Sequence, residues 1–235
     1  MITILHGEHQ VDSRSRLLGI KSQKKKDGYE IIDLDGSVID ITDLIQSFES
    51  QSLFSKYRLV TVENLIGSLR PGAKRDAIIF YLIQGGFDAE VVLWEKKAVG
   101  RQIIKLKKAK HVQVEEFKMP TAIFKFVDNL YPGNAKLLLT YVKDTISNNV
   151  VPEIIFTMIV RQFRIMLAFS TNAPISEVTR LAPWQKGNFI KQAQRFSVHH
   201  LTKQYKELLI IDYQTKSGQS AFDLTKRIEQ FIIGL

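Results

Sequence analysis

Residues 90–130, EVVLWEKKAVGRQIIKLKKAKHVQVEEFKMPTAIFKFVDNL, contain the change of periodicity that decides the fold. EVVLWE (90–95) and HVQVEEF (111–117) are short runs rich in β-branched and aromatic residues and read as strands. Residues 99–109 between them are spaced as a helix. Toward the N-terminus the same alternation continues. ITIL (2–5), YEIIDL (29–34) and RLVTVE (58–63) read as strands, with helical patterns near 9–22, 40–49 and 73–84. Strand and helix in alternation predict a parallel sheet with helices on its faces. From Thr121 onward no strand pattern appears. Apolar residues recur there at helical spacing, as in Phe156, Ile159, Val160, Phe163 and Leu167. Pro152 suits the first turn of that helix, and Pro120, Pro132, Pro174 and Pro183 punctuate the others. The expectation is an α/β domain over 1–118 and an all-α domain of five or six helices over 119–235, with the change near Met119.

Composition narrows the function classes. A chain of 235 residues with 45% hydrophobic residues can bury a sizeable core. It contains no run of about 18 uninterrupted apolar residues and its MITILHGEHQ start lacks the charged and apolar regions of a signal peptide, so a cytoplasmic protein without a membrane partner is expected. The absence of cysteine removes disulfides, thiolate nucleophiles and Cys-based zinc sites together. A net charge of +9 favours an anionic partner such as nucleic acid.

The loop after the first strand, HGEHQVDSRSRL, stands where an α/β domain would cradle a nucleotide phosphate. Its chemistry is wrong for that task. A phosphate loop needs several glycines to expose backbone N–H groups and a Lys-Ser/Thr pair; only Gly7 is present, and Glu8 and Asp12 would repel phosphate. Glu63 and Glu95, at the ends of their strands, then read as capping or solvent-facing carboxylates rather than catalytic ones. No cofactor and no catalytic residue is expected.

The series ILHGEHQVDSR, SLF followed by RLVTVEN, VVLWE with its Lys-rich successor, RQFR, PWQ, QAQRFS and LLIIDYQTKSG resembles the delta subunit of bacterial DNA polymerase III, the clamp-loader wrench, over nearly the whole chain. The resemblance implies an AAA+-like N-terminal domain with a degenerate phosphate loop, followed by a helical collar, in a noncatalytic subunit of the polymerase III holoenzyme. It implies that the apolar pair Leu53 and Phe54, next to Ser52, enters a hydrophobic pocket on the sliding clamp. It also implies that the collar holds the other loader subunits, and that the protein helps deliver the opened clamp to primer-template DNA. Unassisted by the resemblance, Leu53 and Phe54 read rather as a pair packed beneath the sheet, and the resemblance reverses that reading. One departure from the family is visible: VQVEEF runs almost directly into PTAIFKF, so the small helical lid domain between core and collar is missing or reduced to a few residues.

The stretch KKAVGRQIIKLKKAK (96–110) holds seven Lys or Arg and no acid. Helical spacing places Lys97, Arg101, Lys105 and Lys108 on one side, where they could follow a phosphate backbone, and Val99, Ile103 and Leu106 toward the core. KSQKKKDG (21–28) reads as a flexible loop, Asp33 and Asp35 as solvent-facing carboxylates, and Trp184 of APWQ as packed in the collar core. His199 and His200 are adjacent and point apart on a helix, which argues against a shared metal. The reading opposed to a loader subunit is a stand-alone basic DNA-binding protein.

Overall fold

The computed structural model describes residues 1–50, 55 and 57–235. They divide into two compact units, Met1–Met119 and Pro120–Leu235. In the first, five six-residue strands, β1 (Ile2–Gly7), β2 (Glu30–Asp35), β3 (Arg58–Glu63), β4 (Glu90–Glu95) and β5 (Val112–Phe117), form one parallel sheet in the order β2-β3-β4-β1-β5. The central strands β1, β3 and β4 are apolar on both faces and almost wholly buried. The edge strands β2 and β5 carry Glu30, Asp33, Asp35, Glu115 and Glu116 and are only partly buried. Continuous apolar runs suit strands covered on both faces, and charges on edge strands discourage pairing with another chain.

The alternation of side chains along each strand builds two cores. Ile2, Ile4, Val60, Val62, Val91 and Leu93 point to one face. That face is covered by Leu44 and Phe48 of α2 (Ile41–Glu49), by α3 (Leu65–Ser68), and by Ile78, Ile79 and Leu82 of α4 (Ala73–Gln84). Leu5, Leu59, Val92 and Trp94 point to the other face, under α1 (Gln10–Lys26). Helix α1 buries only Ser13 and Leu17. Its polar side chains instead reach the sheet through four ion pairs, one to each strand other than β1. Arg14 meets Glu63 of β3 at 2.5 Å and Arg16 forms a two-pronged pair with Glu115 of β5 at 2.9 Å. Lys21 meets Asp33 of β2 at 2.6 Å and Lys24 meets Glu90 of β4 at 2.7 Å. The lysine-rich stretch expected to be a loop therefore lies, as far as Lys26, in the last turns of α1. Lysines there favour the negative end of the helix dipole as well as the sheet carboxylates.

The expected helix over 99–109 is instead a series of turns ending in a 3-10 turn, Leu106–Lys108. Its spacing still serves packing, because Val99, Ile103 and Leu106 are buried on the sheet. Three residues separate the end of β5 from the first helix of the second unit.

The second unit contains α5 (Thr121–Asp128), α6 (Ala135–Ser147), α7 (Pro152–Thr171), α8 (Ser176–Thr179), α9 (Pro183–Ala193), α10 (Val198–Lys216) and α11 (Leu224–Ile233). Pro152 and Pro183 each open a helix, where the missing N–H costs nothing. Among the described residues α7 alone is long and apolar enough to cross a bilayer. It lies against α5, α9, α10 and α11, with Ile159, Phe163 and Met166 buried, as a core helix does. Phe163 packs edge-on against Phe196 and Phe231.

A buried amide cluster ties three helices together. The Gln192 side-chain amide of α9 donates to the carbonyls of Val127 (2.8 Å) and Leu130 (2.9 Å) at the end of α5, and its oxygen accepts from Gln162 of α7. The Val127 carbonyl, which also accepts from the Leu130 N–H (3.3 Å), stands in the last turn of α5 and the Leu130 carbonyl just past it, so the amide completes the helix end. Gln192→Ala is expected to lower the stability of the chain by about 2 to 4 kcal/mol, because it strands the Leu130 carbonyl and the Gln162 amide and leaves the Val127 carbonyl with one partner fewer. Urea unfolding followed by circular dichroism measures the loss.

Candidate functional site

In an open parallel sheet, ligands enter the crevice beyond the carboxyl ends of the strands. Here the crevice begins at Gly7, whose backbone lies against β5: a side chain would meet the Phe117 carbonyl at 2.1 Å, and φ is +143°. Only glycine fits such an approach. The amides that follow are already engaged. His9 N–H donates to the Phe117 carbonyl (3.0 Å), Asp12 N–H to His9 Nδ1 (3.2 Å) and Ser13 N–H to the His9 carbonyl (3.2 Å). The start of α1 is thus capped by the chain itself, whereas a phosphate site needs those donors turned outward.

The strand-end carboxylates have separate tasks. Glu63 accepts from Arg14, whose guanidinium also lies 4.8 Å from the centre of the Trp94 ring. Glu95 departs from the expectation of a strand cap or solvent-facing group. It is 1% exposed and accepts from the Ile66 (2.7 Å) and Gly67 (2.9 Å) amides, so it caps α3. Burial raises its carboxyl pKa, against the pull of those backbone N–H groups. Asp33 is held by Lys21 and by the Thr61 hydroxyl, and Asp35 by Ser37. Among the described residues no group of three His, Cys, Asp or Glu is placed to hold a metal ion.

The apolar pair Leu53 and Phe54, with Ser52, lies outside the described residues. The residues on either side are described. Ser50 ends α2, Ser55 Oγ lies 2.7 Å from the Gly28 carbonyl, and Tyr57 stacks on Tyr29 with ring centres 5.3 Å apart. Arg58, 8% exposed, opens β3. No expectation from the sequence included it; the available signal was a lone cation at the head of an apolar strand.

Lys97, Arg101, Lys105 and Lys108 are all exposed, although the segment that carries them is not helical. His6 was also missed. It is 0% exposed, both ring nitrogens lack a hydrogen-bond partner among the described residues, and its neighbours in register are Glu95 and Glu116.

In the second unit the quoted motifs meet as packing devices. Gln162 of RQFR bonds Gln192 of QAQRFS, and Gln185 of PWQ accepts from the Ala182 N–H to close the start of α9. Arg164 of RQFR forms a two-pronged pair with Glu177 at 2.7 and 2.8 Å, and Gln214 of DYQTKSG accepts from Arg227. Trp184 is the exception. Expected in the core, it is 69% exposed, because the first-turn position after Pro183 turns it outward. It borders a groove of about 340 Å³ with Phe124, Met158, Arg161 and Phe189.

Burial pushes the His6 imidazole below its ordinary pKa of 6.5; the Glu116 carboxylate opposes that shift and Lys107 adds to it. The unfolded chain therefore takes up a proton below about pH 6.5 that the folded chain refuses. Stability falls as pH drops from there to the folded-state pKa, by at most about 1.4 kcal/mol per pH unit. His6→Leu is expected to remove that component, so denaturant unfolding at pH 7.5 and 5.5 should show a smaller acid loss in the variant.

Residues 121–235 match the family described as DNA polymerase III delta subunit, C-terminal domain. Among solved structures, the Bacillus subtilis DNA clamp loader delta protein (YqeN) is similar at 17% identity and a TM-score of 0.49, over 99% of this chain and 94% of that one. No curated protein matches. The matched residues are the helical unit almost entire, so it is this unit that is similar to the C-terminal domain of DNA polymerase III delta subunits.

Proposed function

We propose that this chain binds and opens a sliding clamp as the delta-like member of a clamp loader. The observation that carries this reading is the match of residues 121–235 to the C-terminal domain of the delta family. Leu53 and Phe54, beside Ser52, are the clamp anchors: burying two large apolar side chains in a dry pocket is worth about 1.5 to 3 kcal/mol each. A protein that prefers the open ring shifts the ring toward it without hydrolysis. The internal use of the His9, Asp12 and Ser13 amides supports a noncatalytic role within the polymerase III holoenzyme.

In this reading the helical unit is the collar that meets the other loader subunits, and the exposed apolar side chains of Trp184, Leu209, Ile210 and Tyr213 support a covered surface there. Lys97, Arg101, Lys105 and Lys108 meet the backbone of primer-template DNA. The protein works in the cytoplasm, where replication takes place in bacteria.

Calorimetry of the purified chain with the sliding clamp of its own organism tests the reading. Wild type is expected to bind, and the double variant Leu53→Ala, Phe54→Ala to lose about 3 to 6 kcal/mol of affinity with its fold unchanged. A wild type that ignores the clamp yet binds DNA in a salt-sensitive way would favour the stand-alone DNA-binding protein. For DNA, replacing Lys97, Arg101, Lys105 and Lys108 with Ala is expected to weaken binding uniformly across sequences. The slope of log affinity against log salt should become shallower by about 1 for each phosphate contact removed, as fluorescence anisotropy at several salt concentrations would show.

A further inference from the structure

His6 is a polar group in an apolar face. It follows Ile2 and Ile4 along one side of β1, and the core on that side also holds Val99, Ile103 and Leu106 of the turns over 96–110. The imidazole is 0% exposed, and neither ring nitrogen has a hydrogen-bond partner among the described residues. A neutral ring so placed costs the hydrogen bonds it does not make. An imidazolium there would add the cost of a buried charge.

The charges near the ring come from three elements. β4 brings Glu95, in register with His6 and already engaged by the Ile66 and Gly67 amides, and β5 brings Glu116, in register on the other side. The turns bring Lys107, which opposes a proton on the ring, whereas Glu116 favours one. Helix α3 has no titratable side chain, and α2 and α4 face the core with apolar ones. His111, where the turns enter β5, lies at the other end of the strands, its Nε2 2.9 Å from the Leu82 carbonyl. A proton on His6 therefore requires a movement that brings water to the ring.

The surrounding elements differ in what it costs to move them. Parting β1 from β4 or β5 breaks a backbone ladder that runs nearly the length of the strand. The turns are closed by short-range bonds, from the Gln102 and Ile103 amides to the Val99 carbonyl, from Lys107 to Ile103 and from Ala109 to Leu106. The Gln102 side-chain oxygen, buried in the same turns, also lacks a partner among the described residues. Local opening starts where backbone bonding is sparse, which here is the turns.

We infer that His6 is an acid-sensitive latch on the turns over 96–110: a neutral imidazole leaves them closed on the sheet, and a protonated one favours the state in which they lift and water reaches the ring. The segment so released carries the exposed Lys97, Arg101, Lys105 and Lys108. The latch follows from the fold of the first unit and holds whether or not those cations meet DNA.

Residue-resolved amide hydrogen exchange on the full chain at pH 7.5 and 5.5 tests the latch, with each rate divided by its intrinsic rate at that pH. The amides of Gln102, Ile103, Lys107 and Ala109 report on the turns, and those of β4 on opening of the whole unit. An open state with an ordinary histidine, pKa about 6.5, gains up to about tenfold over the closed state across this interval. In wild type the turn amides are expected to lose up to about tenfold in protection while staying less protected than β4. In His6→Leu and His6→Gln, which do not titrate there, that loss is expected to vanish. Turn amides whose protection in wild type is the same at both pH values overturn the latch, whatever the variants do. So does a loss that persists in a folded His6→Leu or His6→Gln, and so do turn amides that open only together with β4.

Discussion

Four ion pairs between α1 and the sheet are the constraint on which the first unit depends. The helix has Leu17 as its one fully buried apolar side chain, too little to hold seventeen residues against a sheet face. Arg14, Arg16, Lys21 and Lys24 supply the rest by reaching Glu63, Glu115, Asp33 and Glu90. Single surface pairs contribute little, but a set that engages four strands constrains the helix in both position and rotation. The pair of Arg14 with Glu63 stands at the carboxyl end of β3. That edge of a parallel sheet is where a ligand would enter, and here it helps to hold the helix.

That use of the edge and the closed loop after β1 have the same consequence. The donors at the start of α1 are used by His9 and Phe117, and Glu95 is drawn inside to cap α3. Each arrangement stabilises the unit, and each removes a group that nucleotide chemistry would need free. What stays exposed elsewhere includes Lys97, Arg101, Lys105 and Lys108 of the turns over 96–110 and, in the helical unit, Trp184, Leu209, Ile210 and Tyr213.

The helical unit is held by polar groups as much as by its phenylalanines. The Gln162–Gln192 cluster completes the end of α5 deep between α7 and α9, and its members come from segments thirty residues apart. The same glutamines line the groove at whose rim Trp184 stands, so the residues that set the packing also shape an outer surface. Gln162 and Arg164 of RQFR, Gln185 of PWQ and Gln192 of QAQRFS each have such a partner.

The amino-acid sequence alone determined the fold class. Apolar runs such as RLVTVE and EVVLWE can be satisfied only by a sheet covered on both faces, and the 3.6-residue spacing after Thr121 only by packed helices. It also disclosed a loop too poor in glycine for a phosphate site. Other features depended on partners distant in the chain and became visible only in three dimensions. Residues 99–109 have helical spacing but close on the sheet as turns, because burying Val99, Ile103 and Leu106 satisfies the pattern without a helix. Lys21 and Lys24 look like part of a flexible loop until Asp33 and Glu90 are brought beside them. Trp184 looks like core until Pro183 sets it at the outward side of a first turn. Periodicity records which residues must leave water, and tertiary structure decides what they meet, since a buried charge or amide such as Arg58, Glu95 or Gln192 is tolerable only where the fold supplies its partner.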